Sequence, residues 1–143
     1  MPRARVLLAE DHAAMAEHLR TVLAPEFDVI AIVRDGDTLL AAADALTPDV
    51  IVTDIGMPGC SGMAAAGEIL RKHPQARIVF VTVHDDPVLV QQCLAAGALG
   101  YVLKLTAGEE LRPAVQAALR GERYVSKAVR SQTLRPHNQG GAE

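Results

Sequence analysis

The chain has 143 residues, half of them apolar but only 3% aromatic, with no tryptophan and a formal charge of −3. That length is one domain's worth of chain, and an aliphatic composition of this kind suits helices packed on a sheet better than an aromatic β-sandwich. The mild charge argues against a surface built to coat nucleic acid, and two cysteines, Cys60 and Cys93, argue against a disulfide framework or a cysteine metal site.

No apolar run approaches the roughly 20 residues of a membrane span. The start, Met1-Pro2-Arg3-Ala4-Arg5, has no signal-peptide apolar region behind it. A cytoplasmic location and no membrane partner are therefore expected.

In chain order, Arg5-Val6-Leu7-Leu8-Ala9 reads as a first strand that ends abruptly in Glu10-Asp11. Met15, Leu19, Val22 and Leu23 then fall on one helical face until Pro25, with Asp11 able to cap that helix. Phe27 to Val33 is a second strand, and Asp37 is the expected cap of a helix carrying Leu40, Ala43 and Leu46. Val50 to Thr53 is an apolar, β-branched run of the kind buried on both faces of a sheet. It delivers Asp54 to a loop that Gly56, Pro58 and Gly59 keep irregular. Ser61 caps a third helix, Arg77 to Thr82 is a fourth strand, and Asp86-Pro87 opens a fourth helix that ends near Gly97. Gly100 to Lys104 is a fifth strand. Thr106 and Glu109 form a capping box for a last helix that Gly121 ends, with a kink expected at Pro113.

Strands alternating with helices predict an α/β fold, a doubly wound parallel sheet of five strands and five helices in the flavodoxin-like order 2-1-3-4-5. The pattern ceases after Ser126. Residues 1–125 are thus expected to fold as one domain, with 126–143 a linker stub or disordered tail.

In that strand order the polar strand ends Glu10, Asp11, Asp54, Thr82 and Lys104 converge on one rim. Clustered carboxylates repel by roughly 4 kcal/mol per pair at 4 Å and an effective dielectric of about 20. A divalent ion removes that cost, and hard oxygen ligands suit Mg²⁺. Gly56 adds a backbone carbonyl as a candidate ligand, Lys104 a positive charge and Thr82 a hydroxyl. This set suits a phosphoryl group, with Asp54 as the nucleophile toward phosphorus. His12 and His84 lack metal-ligand spacing and read as loop residues near the site.

These residues, with Asp54-Ile-Gly-Met-Pro-Gly-Cys-Ser-Gly62 and Gly100-Tyr-Val-Leu-Lys104, closely resemble the receiver domains of two-component response regulators over residues 4 to about 125. Val83-His84-Asp85-Asp86 and Gly121 to Ser126 are most similar to NarL/LuxR-type regulators, which carry a helix-turn-helix after the receiver. The resemblance implies a CheY-like fold with Asp54 as phosphoacceptor. It makes Glu10, Asp11, Asp54 and the Gly56 carbonyl the Mg²⁺ ligands, and Thr82 and Lys104 the phosphoryl contacts. Thr82 and Tyr101 would be the switch pair. Leu105 departs from the pattern, standing where many members have proline or a polar residue.

The resemblance also implies a sensor histidine kinase as phosphodonor, a homodimer on phosphorylation, and a switch in transcriptional control rather than an enzyme. Such a switch still assists its own phosphorylation and dephosphorylation. The chain itself is expected not to bind DNA, since DNA would be reached only through an output domain absent from it.

Three other readings fit less well. A phosphatase of the haloacid dehalogenase type needs Asp-x-Asp after the first strand, where Asp11-His12-Ala13 stands. A flavin protein of this fold would have Glu10-Asp11 repelling its phosphate. A receiver-shaped module that no longer takes phosphate would not need the intact acidic set.

Overall fold

A computed structural model of the chain describes residues 2–133. Its elements are β1 (Arg5–Ala9), α1 (Ala13–Leu23), β2 (Asp28–Val33), α2 (Gly36–Leu46), β3 (Val50–Asp54), α3 (Gly62–Lys72), β4 (Ile78–Thr82), α4 (Pro87–Ala95), β5 (Gly100–Leu103), α5 (Ala107–Leu119), β6 (Tyr124–Val125) and α6 (Lys127–Thr133). A single 3₁₀ turn, Lys104–Thr106, joins β5 to α5. The strands form one parallel sheet in the order β2-β1-β3-β4-β5-β6. The predicted order 2-1-3-4-5 holds, extended at one edge by a sixth strand.

Period-two alternation places the core. Leu7, Ile51, Ile78, Phe80 and Tyr101 face a cluster shared with α2, α3 and α4. Val6, Leu8, Val50, Val52, Val79 and Val102 face the cluster shared with α1 and α5. Both faces of β3 are therefore covered, which is why its sequence is a continuous apolar run rather than an alternation. The strand can place a carboxylate at its end only because the rest of it is anchored in two cores.

Several local expectations are corrected. The carboxylate that caps α2 is Asp35, accepting from Thr38 N at 2.7 Å, because Asp37 already lies inside the first turn. The residue at the start of α1 is His12, with no side-chain cap, so Asp11 is left for the rim. Thr106 makes no cap bond and Glu109 does not complete a box. The Thr106 hydroxyl is drawn instead to the buried Glu110 carboxylate at 2.5 Å. Helix α5 continues through Pro113, as expected of the helix. Ser61 and Asp86 cap α3 and α4 as expected, and Gly121 (φ 75°) ends α5 in the left-handed conformation that glycine adopts without strain.

The largest correction falls beyond Val125. Residues 127–133 form α6 rather than a linker or disordered tail, and its Val129 is fully buried in the core cluster that contains Tyr101 and Val90. The remainder of the predicted tail, 134–143, lies outside the described residues.

Gly62, the first residue of α3, shows how β3 and the following helix are spaced. A β-carbon there would lie 1.7 Å from the Asp54 carbonyl oxygen, which no backbone tolerates. Gly67, on the exposed side of the same helix, has open space around it. Urea denaturation should therefore separate the two. Gly62→Ala is expected to lose about 3 kcal/mol or more through forced backbone displacement, whereas Gly67→Ala should gain about 0.5–1 kcal/mol. Equal midpoints for the two variants would contradict this packing.

Candidate functional site

The rim at the carboxyl ends of β1, β3, β4 and β5 carries the site. Glu10 follows β1 and is fully buried, and Asp54 ends β3 nearly so. Lys104 begins the turn after β5, and its ammonium reaches back across the rim to both. Nζ lies 2.7 Å from Glu10 Oε1 and 3.0 Å from Asp54 Oδ2. Burial alone would make this lysine easier to deprotonate. The two carboxylates outweigh that effect, and its pKa is raised. One cation thus balances two buried anions, and among the described residues no hydrogen bond engages the other Asp54 oxygen, Oδ1.

Glu10 Oε2 accepts the His12 backbone N–H at 3.1 Å, with the His12 ring Nδ1 3.2 Å away. Asp11 is only partly covered, but its Oδ1 is buried and accepts no hydrogen bond. The same His12 Nδ1 lies 3.4 Å from it. A buried carboxylate oxygen without a donor is costly, and a hard cation would satisfy it. Ligand atoms of Glu10, Asp11 and His12 lie within 4.8 Å of one another. The donor set therefore fits a divalent ion at Glu10 and Asp11.

The placement differs from the sequence expectation in two respects. His12 stands in the group, and Asp54 is linked to Glu10 through Lys104 rather than by joining that close cluster. Gly56 is exposed with nothing within 4 Å of where a β-carbon would lie, so crowding does not require a glycine there.

Thr82 and Tyr101 are both buried and meet at one residue. Thr82 Oγ1 accepts from the backbone N–H of His84 at 3.1 Å. The Tyr101 hydroxyl donates to the carbonyl of the same His84 at 2.7 Å. Burial, and then the neighbouring Cys93, Asp86 and Asp85, push the Tyr101 phenol up, so it is a neutral donor at ordinary pH. The ring points inward. His12 and His84, read in the sequence as loop residues near the site, are tied into it, His84 through both of its peptide groups and His12 through its backbone N–H and its ring Nδ1. The one visible signal was their position, directly after the acidic pair and two residues after Thr82.

With acids, threonine and lysine on adjacent strand ends of a parallel sheet, the class is a phosphoryl-handling α/β domain. The model of the response regulator receiver domain matches residues 6–116, and the chain belongs to that family. It is the receiver domain of a two-component response regulator. Among curated relatives, the uncharacterized transcriptional regulatory protein YxjL of Bacillus subtilis is 41% identical over 97% of this chain and 66% of its own length. The response regulator GacA of Pseudomonas viridiflava is 33% identical over 90% of this chain and 61% of its own. The chain therefore spans somewhat under two thirds of the relatives it matches. Among solved structures, a LuxR family response regulator from Aurantimonas sp. SI85-9A1 superposes with a TM-score of 0.89 at 29% identity, covering 99% of each chain. Divalent magnesium at an acidic cluster is typical of this family, and no described helix is long and apolar enough to cross a membrane.

Removing the shared cation tests the charge balance. Lys104→Ala leaves Glu10 and Asp54 facing each other with neither neutralised, and should cost about 3–5 kcal/mol in metal-free buffer. Because the folded-state pKa of Lys104 is raised, its contribution is present throughout neutral pH and is lost only as pH climbs past the ordinary lysine range. Denaturation at pH 7 should show the full deficit. A variant as stable as the parent would mean the ion pairs contribute nothing net.

Proposed function

We propose that Asp54 is the phosphoacceptor of a switch that assists its own phosphorylation but turns over no substrate. The observation that carries this is the asymmetry of its carboxylate: Oδ2 is held by Lys104 while Oδ1 has no hydrogen-bond partner among the described residues. Response regulators are phosphorylated by histidine kinases, so the donor is a phosphohistidine. Asp54 Oδ1 attacks phosphorus, the P–N bond breaks, and the imidazole leaves with the electron pair. Lys104 and Thr82 hold the non-bridging oxygens. Glu10 and Asp11, with Asp54 and the Gly56 carbonyl, would hold Mg²⁺, which supplies positive charge beside the transferring group.

The same site would be a poor acceptor without that cation, since carboxylates already crowd it. Incubation with acetyl phosphate and Mg²⁺ should add one phosphoryl group by intact mass. EDTA should prevent it, as should Asp54→Asn. Labelling that persists in Asp54→Asn would sink the assignment.

The switch runs through His84. When Thr82 turns to the phosphoryl oxygens it releases the His84 N–H, and the loop that holds the Tyr101 hydroxyl is freed at one of its two anchors. Beryllofluoride, standing in for the phosphoryl group, is expected to move the NMR signals of His84, Tyr101 and α4. In Thr82→Ala those distant shifts should largely vanish while signals near Asp54 still move. Identical responses in both proteins would show that Thr82 does not carry the coupling.

Downstream, the relatives' description as transcriptional regulators supports control of transcription from the cytoplasm. Homodimerisation on phosphorylation, and DNA contact by an output domain rather than by the residues described here, complete the reading.

A further inference from the structure

Glu110, on the first turns of α5, is a buried acid that the phosphoryl chemistry does not use. Its carboxylate accepts from four donors. Oε1 takes the hydroxyls of Thr106 at 2.5 Å and Ser126 at 2.6 Å. Oε2 takes the Tyr124 hydroxyl at 3.0 Å and the backbone N–H of Lys127 at 2.9 Å. Burial would raise its pKa, but these donors outweigh burial and hold the carboxyl below its usual range, so it is ionised.

Two of those donors bracket Lys104. The Leu103 N–H, immediately before it, donates to Ser126 Oγ at 2.9 Å, and that hydroxyl in turn donates a hydrogen bond to Glu110. Thr106, at the other end of the 3₁₀ turn, bonds Glu110 directly. The turn that presents Lys104 to Asp54 therefore hangs on the same carboxylate as the first residue of α6. Helix α6 adds its own anchors. The Arg130 guanidinium donates to the Val125 carbonyl and lies 5.3 Å from the centroid of the Tyr124 ring, while Val129 is sealed in the core.

We infer that Glu110 is a positioning residue that ties the Lys104 turn to the start of α6, so that a change in Lys104 on phosphorylation is carried to the C-terminal helix. This rests on the reading of Asp54 as phosphoacceptor for its last step only. The tie itself exists in the unmodified protein. An ionised carboxylate suits the role because its two oxygens accept from all four groups at once, without any of them having to compete for a partner.

The test uses the 143-residue chain and amide hydrogen exchange. Thr106 is partly exposed and remote in sequence from α6, so Thr106→Ala leaves the domain folded and is the first variant. It should speed exchange at Lys127–Arg130 about tenfold, the size expected when one charge-assisted bond of a local network is lost. Thr106→Ser, which keeps the hydroxyl, should restore slow exchange. Glu110→Ala should expose both ends, Leu103 and Lys127–Arg130, while amides of β1 and β3 stay protected. Unchanged exchange at Lys127–Arg130 in Thr106→Ala, or equal acceleration in Thr106→Ser, would overturn the tie.

A second arm adds Mg²⁺ and beryllofluoride. In the parent chain the signals of Lys127–Arg130 should shift together with those of Lys104. In Thr106→Ala only the Lys104 side should respond. Binding at Asp54 without any response at Lys127–Arg130 in the parent would overturn the transmission. A failure of beryllofluoride to bind at all would count against Asp54 as phosphoacceptor, and the exchange measurements would still decide the tie.

Discussion

Two buried carboxylates sharing one ammonium are the constraint on which the rest of the molecule depends. Glu10 and Asp54 end neighbouring strands, so the fold itself forces them together, and Lys104 must cross the ends of β4 and β3 to reach Glu10. Burying either acid without a counter-charge is several kcal/mol uphill by usual estimates. The fold tolerates the pair because a long, flexible lysine side chain supplies the charge from the far side of the rim.

That constraint explains why so much of the site was legible in the sequence. Strands buried on both faces announce themselves as apolar runs, and their polar terminators stand out against them: Glu10-Asp11, Asp54, Thr82 and Lys104. Strand order then brought them together without any knowledge of side-chain contacts. What could not be read was whatever depends on tertiary partners. Strand β6 has two residues and α6 has seven, both too short for periodicity to be a signal. They form because Ser126 and the Lys127 N–H find Glu110 and because Val129 finds a core to enter. The mistaken capping box has the same origin. Locally Thr106 and Glu109 fit the pattern, but a buried carboxylate one residue on is the stronger acceptor.

His84 illustrates a different limit. Among the described residues its imidazole takes no part in holding Thr82 and Tyr101; its peptide groups do, one facing Thr82 and the other Tyr101. Any residue other than proline could supply that N–H, so side-chain identity carries no information about the joint. The joint nonetheless depends on position, because His84, two residues beyond Thr82, places one peptide group against Thr82 and the other against Tyr101. Backbone joints of this kind are fixed by loop length rather than by composition.

Leu105 can be understood on the same terms. It stands 93% exposed in the middle of the turn, between a residue whose N–H is held by Ser126 and one whose hydroxyl is held by Glu110. With both flanks fixed from outside, the conformation of the turn does not rest on the side chain at 105. A leucine where many receivers have proline or a polar residue therefore need not disturb Lys104. Lys104 is aimed by the two carboxylates in front of it and by the hydrogen bonds that hold the turn behind it, and the apolar side chain between them projects into solvent.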